Sequence, residues 1–108
     1  MTKPVSETYN LFFCHMDDTQ WKALAQIYER LPEFMGWHDN IPYWFGVEED
    51  TLDTQKICLW ASAEPGGLLV KGHLEAEDWI QWQRAFSILA AAAVGFPVKP
   101  AEDEKSCE

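Results

Sequence analysis

Basic residues are scarce in this 108-residue chain, which carries 8 lysines and arginines against 18 aspartates and glutamates. The formal net charge of −10 repels nucleic acid and anionic membranes, so the composition speaks against both as partners. The basic residues are scattered singly and do not form the aromatic-interleaved stripe of a nucleic-acid site. The negative field favours rapid association with a basic protein, although surplus acidity also serves solubility alone.

Long apolar runs and paired cysteines are missing too. No stretch of about 18 apolar residues is present to span a bilayer. The opening MTKPVSETYN lacks the apolar core of a signal peptide. Cys14, Cys58 and Cys107 are odd in number and form no CxxC pair, which argues against a disulfide framework. These absences predict a cytoplasmic protein that does not insert into a membrane.

Motifs for catalysis or for cofactors are absent as well. Cys14 and His15 are adjacent, but neighbours on a strand point to opposite faces and cannot pair as nucleophile and base. The histidines and carboxylates do not have the spacing of zinc ligands. The Gly-Gly pair at 66–67 marks a hairpin tip and is not part of a GxxxxGK phosphate loop. We therefore expect no enzyme, no metal and no cofactor.

The first half of the chain predicts a strand, a helix and a further strand. Residues 8–15, TYNLFFCH, are rich in aromatic and apolar side chains and predict a strand. Asp17 and the glutamine three residues later have the spacing of a capping box, and Pro32 ends the helix that follows. Residues 32–41 carry Pro, Gly and Asn and predict a loop. Aromatic and β-branched residues over 41–48 predict the next strand.

The second half predicts a hairpin and a long helix. Residues 56–63 alternate as a strand, EPGG at 64–67 predicts a type II turn with glycine in its third position, and 68–74 form the return strand. Residues 75–95 predict a helix, and 96–100 a short final strand. The packing stripe of this helix consists of Trp79, Trp82, Phe86, Leu89 and Ala93.

This order, β-α-β-β-β-α-β, is typical of the α+β class. We expect an antiparallel sheet of four to five strands with two helices packed on one face. Residues 1–7 are expected to be a flexible N-terminus, residues 8–100 a single α+β domain and residues 101–108 an acidic disordered tail.

An aromatic and acidic stretch, GWHDNIPYWFGVEED at 36–50, is the candidate binding surface. Tryptophan and tyrosine ringed by polar residues are typical of interface hot spots. Trp37, in the predicted loop, is the better candidate for exposure, whereas strand alternation must turn either Tyr43 or Trp44 into the core. The residues assigned to partner binding are Trp37, Asp39, Tyr43, Trp44, Glu48, Glu49, Asp50 and Asp53.

Four segments resemble the small acidic immunity proteins of bacterial polymorphic-toxin and contact-dependent inhibition systems. They are YWFG at 43–46, LWASAEPGGLLVKGHL at 59–74, DWIQW at 78–82 and GFPVKPAEDE at 95–104. The likeness lies in the layout of a hairpin, a Trp-bearing helix, a short strand and an acidic tail. It implies a protein that binds a cognate toxin domain and covers its active site. Many such toxins are nucleases with basic grooves, which acidic side chains would engage by imitating phosphate.

Two other kinds of function fit the same residues. The aromatic side chains could line the apolar pocket of a small-ligand-binding or regulatory domain. They could also meet their own copy across a two-fold axis in a homodimer. The leading hypothesis is a non-catalytic immunity protein that occludes a basic toxin domain with an acidic, aromatic surface.

Overall fold

A five-stranded antiparallel sheet and two helices make up the fold. The computed structural model describes residues 2–11, 16–46, 57–64 and 66–100. In chain order the elements are β1 (Thr2–Tyr9), α1 (Asp18–Tyr28), β2 (Phe34–His38), β3 (Ile41–Trp44), β4 (Cys58–Glu64), β5 (Gly67–Glu75) and α2 (Ala76–Val94). The strands lie side by side in the order β1-β5-β4-β3-β2. The predicted α+β class, an antiparallel sheet with two helices, is confirmed.

The core lies on the sheet face that carries both helices. Side chains alternate along each strand, so Leu59 of β4 and Val70 of β5 point to the same face and are fully buried there. They join one apolar cluster with Leu24 of α1 and with Trp82 and Phe86 of α2. None of the helices in the described ranges combines the length and the apolar character that crossing a bilayer requires.

The N-terminal segment is ordered into an edge strand, which corrects the expectation of flexibility for residues 2–7. β1 pairs antiparallel with β5 along its whole length. Val5 and Tyr9 point to the core, while the polar side chains between them belong to the rim and outer face of an edge strand. An edge strand tolerates polar residues, so the composition of residues 2–7 resembles that of a frayed terminus and did not predict the strand. Residues 12–15 of the strand predicted over 8–15 lie outside the described residues.

The capping box that opens α1 is confirmed. The Asp17 carboxylate accepts the backbone N–H of Gln20 at 2.8 Å, and the Gln20 side chain accepts the backbone N–H of Asp17 at 2.9 Å. The Gln20 amide also donates to the carbonyl of Val94 at 2.8 Å. This bond ties the start of α1 to the end of α2, and the two helices pack against each other.

The segment predicted as a loop, 32–41, contains strand β2. β2 joins β3 through the two-residue turn Asp39–Asn40, whose φ values of 51° and 66° are those of a type I′ turn. Adjacent residues could have predicted this hairpin, since the polar turn residues Asp39 and Asn40 stand between aromatic and apolar residues. The nearby glycine and proline favoured a loop instead. β3 ends at Trp44, earlier than the predicted strand end at residue 48.

The second hairpin lies where EPGG predicted it, with Glu64 paired to Gly67. Gly67 has a φ of 123°, a conformation that favours glycine. The type II assignment depends on Pro65, which lies outside the described residues. The segment that follows α2 returns to β1, and within the described residues it forms one bridge, between Tyr9 and Pro100, where a short strand was predicted over 96–100.

Candidate binding groove beside the β2–β3 hairpin

A groove of about 360 Å³, open to solvent on one side, lies between α1 and the β2–β3 hairpin. α1 contributes the rings of Trp21 and Tyr28, and β2 contributes the ring of Trp37. The sheet contributes Pro42, Ala61, Ala63 and Leu68. The groove exists because α1 packs against α2 and because the small side chains of the sheet do not fill the space beside it.

Helical spacing sets the α1 side of the groove. Trp21, Ala25 and Tyr28 recur at intervals of four and three residues and so form one stripe along the helix. The neighbouring stripe, which includes Leu24 and Ile27, points into the core. Trp21 was not among the residues that the sequence assigned to partner binding, so it was missed as a site residue. The sequence feature that could have identified Trp21 is its position near the start of α1, at the edge of the apolar stripe.

Trp37 is the exposed aromatic residue of the groove. Its side chain is 43% exposed. The ring centroid lies 5.9 Å from that of Tyr28 and 6.1 Å from that of Phe34. These contacts hold the indole in a defined position while it still faces solvent. A rigid, exposed indole is the kind of side chain that anchors interfaces, since little conformational entropy is lost on binding.

Trp44 and Tyr43 are buried, which corrects their assignment to partner binding. Trp44 is 0% exposed and packs edge-on against Trp82, with ring centroids 4.9 Å apart. Tyr43 points to the opposite sheet face and is 8% exposed, with its ring 6.3 Å from that of His38. A fully enclosed indole cannot contact another molecule. Strand alternation predicts only that the two residues lie on opposite faces of the sheet. Packing on each face buries both of them.

Asp39 supplies the charge at the groove. It occupies the first turn position of the hairpin, lines the groove and has a side chain that is 90% exposed. Its Oδ2 lies 3.6 Å from Nε2 of His38, a contact that contributes little between exposed groups. The other assigned acids, Glu48, Glu49, Asp50 and Asp53, lie outside the described residues. The structure therefore brings Trp37 and Asp39 together at one place.

The electrostatic character of the groove is simple. Asp39 is the only charged residue among the described residues that line it. Burial raises the pKa of Tyr28 above its ordinary value of 10.0, so its phenol stays neutral into the alkaline range. Elsewhere, the described part of the chain contains no group of three His, Cys, Asp or Glu side chains that could hold a metal ion. The groove thus presents aromatic faces and one carboxylate.

Fold and groove together define an α+β domain with an open groove that is walled by aromatic rings and carries one carboxylate, that of Asp39. Comparison with protein-family models, curated proteins and solved structures finds no match to this chain. The likeness to immunity proteins therefore stays a hypothesis drawn from the sequence segments.

Proposed function

We propose that this protein is a non-catalytic, cytoplasmic immunity protein that binds a basic toxin domain and neutralises it by covering its active site. The observation that supports the proposal most is the exposed Trp37, held in place beside Asp39 at an open groove. An aromatic anchor next to polar residues is the typical composition of an interface hot spot.

The charge of the whole chain supports a basic partner. A net charge of −10 raises the rate at which a positively charged protein is captured, and salt screens this effect. The same charge disfavours a homodimer, because two copies of a chain with a net charge of −10 repel each other.

Small-ligand binding is the second candidate function, and the groove itself favours it. Its volume of about 360 Å³ falls at the lower end of the range of ligand pockets, roughly 300–1,000 Å³. Aromatic lining is also common in such pockets. However, the groove is open on one side, so it would bury less of a free ligand than a closed cavity does.

Co-expression with a toxin domain encoded beside the gene tests the proposal. The wild-type chain should restore growth and bind the toxin domain, as measured by calorimetry. Trp37→Ala should weaken binding by about 30-fold or more, the effect of losing an anchor worth about 2 kcal/mol. Ile88→Ala is the matched control, since Ile88 is an exposed apolar residue of α2 outside the groove. If no polypeptide encoded next to the gene is toxic or bound, the immunity function is wrong.

A further inference from the structure

We propose that the groove beside the β2–β3 hairpin takes one arginine side chain of the basic partner, with its stem along the rings and its guanidinium at Asp39. The inference rests on the proposed function, because the arginine belongs to the protein that is bound. It names the chemical group for which the groove is suited.

The rings provide the first part of the match. Trp21, Tyr28 and Trp37 border the same space from two elements. A guanidinium group stacks on aromatic faces, and tryptophan is the best partner for a cation. The methylene stem of arginine covers apolar surface at the same time. The small side chains of Ala61 and Ala63 leave room for such a stem.

The negative charge of Asp39 provides the second part of the match to arginine. No lysine or arginine stands among the described residues that line the groove, so nothing there competes for Asp39. Among the described residues, the carboxylate has one ionic contact, the long one to His38 at 3.6 Å, and it can turn toward an incoming group. A carboxylate accepts two parallel hydrogen bonds from a guanidinium, which adds direction as well as energy.

Other side chains fit this combination less well. An apolar side chain would displace water from Asp39 without giving it a partner, which is unfavourable. An acidic side chain would be repelled. The ammonium of lysine is a strongly hydrated point charge that neither stacks flat nor binds in a bidentate manner. Arginine alone uses both the rings and the carboxylate.

The test is a titration of the full chain with N-acetyl-arginine methylamide, followed through the indole N–H signals in NMR spectra. The chain has 6 tryptophans, so six such signals are expected. Trp21→Phe and Trp37→Phe assign the two groove signals. We expect these two to shift saturably with a dissociation constant in the millimolar range, while the signals of the buried Trp44 and Trp82 stay in place. N-acetyl-norleucine methylamide, which has an apolar stem and no charge, should bind several-fold more weakly.

A matched pair of variants isolates the carboxylate. Asp39→Asn removes the charge but keeps a residue that tolerates positive φ, so the turn is preserved. It should weaken binding of the arginine probe about two- to fivefold, because the carboxylate of Asp39 is exposed and well hydrated. Glu77→Gln makes the same charge change in the first turn of α2, at the far end of β5 from Leu68 of the groove, and should leave binding unchanged. Equal binding of the norleucine probe, or unchanged binding by Asp39→Asn, would overturn the inference.

Failure of the inference is distinguishable from failure of the proposed function. If the toxin domain is neutralised in a Trp37-dependent way but the arginine probe does not bind, the arginine inference is wrong and the immunity function stands. If the probe binds as expected but no toxin domain is recognised, the groove chemistry is supported and the immunity function is wrong.

Discussion

The indole N–H of Trp44 donates a hydrogen bond of 2.9 Å to the backbone carbonyl of Tyr28. Tyr28 is the last residue of α1, where carbonyls have no partner within the helix. The bond satisfies one of these carbonyls inside the core and connects α1 to β3. Because the ring of Tyr28 lines the groove, the same bond fixes one wall of the groove to the sheet.

Replacing the indole of Trp44 should therefore lower the free energy of unfolding more than replacing that of the neighbouring Trp82. Trp44 and Trp82 are both 0% exposed, but within the described part of the chain Nε1 of Trp82 has no hydrogen-bond partner. Trp44→Phe and Trp82→Phe lose the same ring volume, and only the first removes a buried hydrogen bond. The Tyr28 carbonyl then keeps only the longer bond from the backbone N–H of Leu31, at 3.4 Å. We expect Trp44→Phe to lower the free energy of unfolding by about 0.5–1.5 kcal/mol more, as measured by denaturant titration. Equal losses would mean that the bond does not stabilise the fold.

The hairpin turn should respond in opposite directions to two substitutions at Asn40. Its φ of 66° is unfavourable for β-branched residues and free of strain for glycine. Asn40→Gly should leave stability unchanged or raise it by up to about 1 kcal/mol, because type I′ turns favour glycine. Asn40→Val should lower stability by about 1–2 kcal/mol. Thermal melts of both variants measure this, and a stabilising valine would contradict the turn assignment.

Two adjacent glycines should differ sharply in their tolerance of alanine. At Gly67, with φ 123°, an added Cβ would collide with the backbone carbonyl oxygen of Tyr9. At Gly66 an added Cβ would meet nothing within 4 Å. We expect Gly67→Ala to lower the free energy of unfolding by about 2–4 kcal/mol and Gly66→Ala to change it by less than about 0.5 kcal/mol. A comparison of the two denaturation curves gives the answer, and similar curves would rule out the close approach of β5 to β1.

Alkaline pH should destabilise the fold through its buried tyrosines. Burial raises the pKa of Tyr28, and burial together with the charge of Glu7 raises that of Tyr9, both from an ordinary value of 10.0. Below that pH both phenols are protonated in the folded and unfolded chains, so stability does not depend on them. Above it the unfolded chain releases protons that the folded chain retains, and stability falls by up to about 1.4 kcal/mol per pH unit for each tyrosine.

Denaturant midpoints recorded from about pH 8 to pH 11 measure this loss. Tyr9→Phe should flatten the decline without lowering stability at neutral pH, because the Tyr9 hydroxyl has no hydrogen-bond partner among the described residues. An unchanged alkaline slope in Tyr9→Phe would show that Tyr9 does not contribute to it.

Features that depend on residues close in sequence were predictable. The capping box involves only Asp17 and Gln20, and the β4–β5 hairpin depends on alternation and on a turn between adjacent strands. The exposure of Trp37 was also expected, although from a predicted loop and not from the edge strand in which it lies. The α1 side of the candidate site was missed, because Trp21 and Tyr28 line the groove only through the packing of α1 beside the hairpin.

Periodicity and capping act over a few residues, so they were enough to predict the helices, the β4–β5 hairpin and the α+β class. Long-range packing was needed to pair residues 2–7 as an edge strand, to enclose Trp44 and to leave Trp37 exposed. Strand pairing and burial are set by neighbours distant in the chain. The local preferences of an indole are the same at positions 37 and 44. The hydrogen bond to the Tyr28 carbonyl and the contact with the ring of Trp82 distinguish Trp44 from Trp37.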